Sequence, residues 1–232
     1  MIRIFLLIGL LAANLLAMNL PADIRTLYPT REISRLEPVL HQVEKEGLPP
    51  EYFFNKIRQA HLKNVPVVVL EKKLRNDLET MKEARALLTR ASVNGEKIQD
   101  YSASLIFLTE LLQRGLPPVE FLYFLNQNKS LRKIPVDEVL NFLEQQINLE
   151  QLGGFSRETS QTITSNFYQY HQNYQPLLNA IKKILEYNLT VEHHPSITGQ
   201  LEKFSRKEIS WRQFLQELKQ LARQSMITEI KK

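Results

Sequence analysis

Lys203, Arg206, Lys207 and Arg212 place four cationic side chains in one short stretch of the chain. Exposed charges act over a Debye length of about 8 Å at physiological salt, so such a group suits capture of an anionic polymer or a lipid headgroup. Tyr168, Tyr170, Tyr174 and Trp211 could offer aromatic faces to a sugar or a peptide. Tyr170, Tyr174 and Trp211 fall on faces predicted to be buried. Tyr168 falls off them and is the surface candidate. Ser130-Leu131-Arg132-Lys133 has the S-x-x-K spacing of an acylating serine. The motifs that should follow it do not, so Ser130 reads as part of a loop between two helices. His171 and Glu192-His193-His194 are of metal-ligand type, but adjacent histidines on a loop point apart and no second His stands one helical turn on. The 25 carboxylates must include pairs that a fold brings face to face, and the sequence does not choose among them. There is no phosphate-cradling glycine loop, no nucleophile elbow and no His-Glu-x-x-His. No catalytic residue, cofactor or metal ligand is therefore named.

Charge points the same way. The 232 residues carry a formal net charge of +5. Residues 23–154 balance their basic and acidic groups, and apart from Arg3 the whole excess lies in 155–232.

The elements that must position these residues announce themselves by their stops. Gly47-Leu48-Pro49-Pro50 recurs as Gly115-Leu116-Pro117-Pro118, and Asn188-Leu189 is a blurred third copy. Gly or Asn fits the left-handed residue just past a helix end, and the apolar residue after it folds back onto the last turn. Gly47, Gly115 and Asn188 are thus predicted helix stops, with Val43, Leu111 and Ile184 as the residues their leucines cover. Ile33, Tyr101 and Tyr174, with Leu40, Leu108 and Ile181, extend the same face upstream. Pro50, Pro118 and Pro195 suit the first turn of a second helix, where the missing N–H costs nothing. A third helix opens at Val65-Pro66-Val67, Ile134-Pro135-Val136 and Ile209-Ser210-Trp211, and Ser210 with Gln213 has capping-box spacing. The fold expected is all-α: three degenerate copies of a three-helix unit, as a helical repeat or a duplicated bundle. A further helix is expected near 156–173. From Ile163 to Ile184 apolar residues alternate in steps of four and three, a seam that Pro176 should break near Gln175.

The stretch from Gly47-Leu-Pro-Pro-Glu-Tyr-Phe-Phe-Asn-Lys-Ile through Lys63-Asn-Val-Pro resembles uncharacterised bacterial envelope proteins in which Gly-Val-Pro punctuates short helices. The resemblance covers roughly 45–90 and 113–145, with Leu48 in place of Val. It implies architecture and carries no catalytic residue.

Arg3 followed by the apolar run Ile4–Ala17 has the form of a secretory signal, too short for a comfortable membrane span of about 20 residues. Cleavage would follow Ala17 or Ala22. The absence of cysteine excludes disulfides and thiolate metal sites, and fits a bacterial envelope. Three segments are expected: a signal and leader over 1–22, two helical copies over 23–154, and a net-basic helical region over 155–232 with its boundary near Gly153-Gly154. The expected function is that of an exported, periplasmic binding or scaffold protein whose partner is a protein or an anionic envelope polymer. Membrane contact is expected if the apolar segment is retained, and nucleic acid is not expected. The alternatives are an envelope enzyme with a carboxylate site and a peripheral membrane protein.

Overall fold

Helix ends organise this chain, and they are fixed by single residues in the left-handed region. A computed structural model describes residues 20–131, 133–171, 173–189 and 193–230. Arg3 and the apolar run of the expected signal lie outside them. Among the described residues there are eleven helices and no strand. They are α1 Ala22–Leu27, α2 Thr30–Lys45, α3 Pro50–Leu62, α4 Val67–Val93, α5 Tyr101–Gln113, α6 Pro118–Leu131, α7 Val136–Gln151, α8 Arg157–Tyr170, α9 Gln175–Glu186, α10 His194–Ser205 and α11 Trp211–Ile230.

Gly47, Gly115 and Asn188 have φ of 63°, 99° and 49°. Each is followed by the paired bonds of a Schellman ending. Leu48 N–H donates to Val43 O at 3.0 Å, Leu116 to Leu111 at 3.0 Å and Leu189 to Ile184 at 3.4 Å. All six of those side chains are buried. The same device ends α3 at Asn64 (φ 53°), α4 at Gly95 (φ 83°) and α10 at Lys207 (φ 61°). Asn64 and Lys207 have a Cβ and still take the conformation, so composition alone does not reveal those stops. Pro50 and Pro118 open α3 and α6, and Ser210 exchanges bonds with Gln213 as a capping box at the start of α11.

The chain forms two compact units, one ending at Lys82 and the other beginning at Glu83. In the first, α1 and α2 pack on α3 around Ile24, Leu36, Leu40, Phe53 and Ile57. The α1 helix was not foreseen, since six residues are too few to show a period. It is held by Ile24, fully buried, and by Asp23, whose Oδ2 accepts from Arg58 Nε at 2.7 Å. In the second unit α7 is central: α5, α6, α8 and α9 all pack against it, and α10 packs on α8 and α11. The division near Gly153-Gly154 is therefore not where the units part. That loop joins α7 to α8, the most extensively packed helix pair in the fold. Gly153 permits the junction, since a Cβ there would stand 2.7 Å from Leu149 O and 2.9 Å from the Phe155 ring.

Two expectations about faces fail. Tyr101, assigned to a buried face, is exposed because it is the first residue of α5. Tyr170, also assigned to a buried face, is exposed as the last residue of α8. The helix breaks where Pro176 implies, with α9 starting at Gln175, and Ile163, Phe167, Leu177, Ile181 and Ile184 are buried on either side of the break.

Candidate functional site

The four cationic residues flank one helix stop in the second unit. Lys203 lies in the last turn of α10, Arg206 and Lys207 form the stop, and Arg212 lies in the first turn of α11. All four are exposed. Cations near a helix C-terminus face the negative end of its dipole, which accounts for Lys203, Arg206 and Lys207 but not for Arg212. The stop is braced from beneath. Phe204 stacks on Phe214 at 5.1 Å and lies 5.4 Å from Trp211, 5.7 Å from Phe167 and 5.8 Å from His171. Lys207 N–H donates to Phe204 O and Glu208 N–H to Lys203 O, so the backbone that carries the charges is fixed. Trp211 is half-buried in this stack, as its place on an apolar face implies.

Tyr168 does not join them. Its place off the apolar seam predicts a surface residue, yet it has no exposed area. The reason is that α8 is covered on two sides, by α7 and by α10, so its buried face spans Ser160, Ile163, Thr164, Phe167 and Tyr168. The Tyr168 ring packs edge-on against Phe124 and Phe142, and its hydroxyl donates to Asn128 Oδ1 at 2.8 Å.

Asn128 is a polar hub that no sequence motif marks. Its side chain has no exposure and four partners. Nδ2 donates to Glu96 Oε2 at 2.7 Å and to Ile134 O at 2.8 Å. Oδ1 accepts from Ile134 N–H at 2.9 Å and from Tyr168. An amide offers two donors and two acceptor positions, so all are used. Glu96 and Tyr168 lie far away in sequence, and no local pattern signals the nearer Ile134. Above the hub, Asn94, Gly95, Glu96, Lys97, Lys133 and Ile134 line a shallow pocket of about 380 Å³. Lys133, of the S-x-x-K string, is exposed on its rim with φ 55°. Ser130 lies in the last turn of α6, not in the loop, because α6 extends to Leu131.

A pair of carboxylates does come together, at Glu120 and Glu150. Gln146 Nε2 donates to Glu120 Oε2 at 2.5 Å and to Glu150 Oε1 at 3.3 Å. Arg157 spans the other oxygens, with Nε 3.6 Å from Glu120 Oε1 and Nη2 3.5 Å from Glu150 Oε2. Arg157 Nη2 also donates to Gly115 O at 2.9 Å. Burial pushes the Glu120 carboxyl above its ordinary range, against the opposing pull of Gln146 and Arg157. A general acid needs an oxygen turned toward its substrate. Here all four carboxylate oxygens face protein partners. The arrangement is a clamp that fastens α8 to α6, α7 and the second Gly-Leu-Pro-Pro stop.

The histidines are structural in their surroundings. His194 stacks on Phe155 at 4.0 Å, and burial lowers its pKa while a hydrogen bond to the Gly153 backbone raises it. His171 stacks on Phe167. Among the described residues no group of three or more His, Asp or Glu side chains could hold a metal ion, and no helix is long and apolar enough to cross a membrane. Glu192 lies outside the described residues.

Compared with protein-family models, curated proteins and solved structures, the chain matches none of them.

Proposed function

We propose that this is an exported binding or scaffold protein of the bacterial cell envelope, which holds an anionic envelope polymer at the α10–α11 stop. The observation that carries the reading is the set of four exposed cations on a backbone fixed by a helix stop, a capping box and an aromatic stack. Rigid backing lowers the ordering cost of binding. The charge excess of the chain lies in the same region. Export rests on the basic and then apolar opening of the sequence.

The test is retention of the full chain on immobilised dextran sulfate, a soluble polyanion. Elution should need markedly less salt after Arg206→Glu with Lys207→Glu, and the slope of retention against salt should fall. Arg31→Glu with Lys45→Glu changes two exposed cations of α2 by the same charge and should leave retention unchanged. Equal loss in both pairs would mean that net charge alone is read and would sink the proposal.

A further inference from the structure

The first unit carries a different surface, at the turn between α3 and α4. Leu62 ends α3 with 80 % of its area exposed, and Val68 and Val69 open α4 with 58 % and 56 % exposed. Asn64, with φ 53°, turns the chain between them, and Val65 N–H is tied to Ala60 O at 2.9 Å. Three bare aliphatic side chains thus share one fixed turn of eight residues, Leu62–Val69.

The fold does not ask for them. A helix start favours acidic residues, and valine is a poor helix former. The α7 helix, which opens after Ile134-Pro135 as α4 opens after Val65-Pro66, shows the ordinary solution. Counting from the same Val/Ile-Pro-Val start, Val68 and Val69 correspond to Asp137 and Glu138. Asp137 accepts from Gln99 N–H and Ser104 Oγ, and Glu138 accepts from Tyr174 N–H. In α4 the same two positions are apolar and face water.

Charge identifies what they meet. Lys72 lies four residues after Val68 and three after Val69, so it stands on the same face one turn, about 5.4 Å, back from the tip. Lys63 follows Leu62 directly, and Lys63, Lys72 and Lys73 are all exposed. Of the acids on this helix, Glu71 is turned to Arg75 and Arg35 at 3.0 and 3.4 Å, and Asp77 pairs with Lys73 at 3.7 Å, so Lys63 and Lys72 are the cations the tip offers. An aliphatic tip with a collar of ammonium groups one turn behind matches an anionic bilayer surface. Apolar groups enter about 5–10 Å, and lysine stems keep their charges at the headgroups.

We propose that the Leu62–Val69 turn is a membrane-inserting tip that seats the first unit on an anionic lipid bilayer. This goes beyond the polymer reading and does not depend on it, since it concerns other residues in the other unit.

The chain has no cysteine, so a single one can be labelled uniquely. Full-length protein with Val69→Cys, carrying a polarity-sensitive fluorophore, is mixed with vesicles of phosphatidylglycerol and phosphatidylcholine. The same label at Val119→Cys reports on an exposed valine of the second unit. The label at 69 should shift to the blue with anionic vesicles and be quenched by nitroxide-bearing lipid, while the label at 119 should do neither. Pure phosphatidylcholine should give a much weaker response. Leu62→Ser with Val68→Asp should weaken the response about tenfold. The label comparison stands even if that variant folds poorly. A label at 69 that stays in water on vesicle-bound chain overturns the proposal, as does equal quenching at both sites or no vesicle binding at all. A blue shift before lipid is added also overturns it, and would assign the turn to a protein contact.

Discussion

At the scale of single residues, Asn128 and Glu120 show opposite ways of burying polarity. Asn128 has a partner for every donor and acceptor position. Its replacement by Leu strands Glu96, the Tyr168 hydroxyl and both backbone groups of Ile134, so Asn128→Leu should cost about 3 kcal/mol or more. Tyr168→Phe removes only one bond and leaves Asn128 Oδ1 with Ile134, so it should cost about 1 kcal/mol. Urea unfolding of the two variants measures both, and equal costs would mean that ring packing, not the hub, dominates. Glu120 is buried beside Glu150, and burial raises its pKa above the ordinary 4.5. Stability from the protonated form is complete below about 4.5 and is lost as pH rises through the raised folded value. Glu120→Gln mimics that form at every pH. The native chain should therefore lose stability relative to Glu120→Gln from acid to neutral pH, read from urea midpoints across the range. A gap that shrinks as pH rises contradicts this. These partnerships were not legible in sequence: Asn128 reaches Glu96 and Tyr168, and Glu120 reaches Gln146, across more than twenty positions, and the nearer Asn128–Ile134 pair follows no local motif.

At the scale of elements, the helix stops were the most legible feature, because each is decided by a few adjacent residues. Gly47, Gly115 and Asn188, each with its following leucine, could be read directly. Asn64 and Lys207 could not, since a left-handed Lys follows from the packing on either side rather than from its own preference. Tyr168 was misplaced for a related reason: its helix is covered on two sides, and a single seam describes only one of them. The glycines separate two physical causes. Gly47 has open space around its missing Cβ and positive φ, so Gly47→Ala should cost about 1 kcal/mol of backbone strain alone. Gly153 has backbone 2.7 Å from that position. Gly153→Ala must move the α7–α8 junction and should cost more, about 2 kcal/mol. Thermal unfolding of the two variants orders them, and a larger loss at Gly47 would reverse the assignment.

At the scale of the whole molecule, the all-α class was legible from periodicity and scarce glycine, but the division into units was not. A Gly-Gly loop marks a boundary only if the helices it joins do not pack, and α7 and α8 do. The proposed export also meets a structural constraint. Leu20 is buried and Ala22 is the first residue of α1. Processing after Ala22 would remove a core side chain, whereas processing after Ala17 keeps it. Intact-mass measurement on envelope material should therefore give a chain that begins at Met18. A chain beginning at Asp23 would show that Leu20 is dispensable.

The saturation of Asn128 has a consequence for how the protein can be made. Asn128-Lys129-Ser130 spells the acceptor sequence for N-linked sugar, and the sugar would attach to the nitrogen that bonds Glu96 and Ile134. A glycan placed there before the second unit folds cannot be accommodated at a side chain with no exposed area. The sequence is thus compatible with hosts that leave this acceptor unmodified and at odds with eukaryotic secretion, where Ser130→Ala, which removes the acceptor and spares Asn128, is the change that should restore folding.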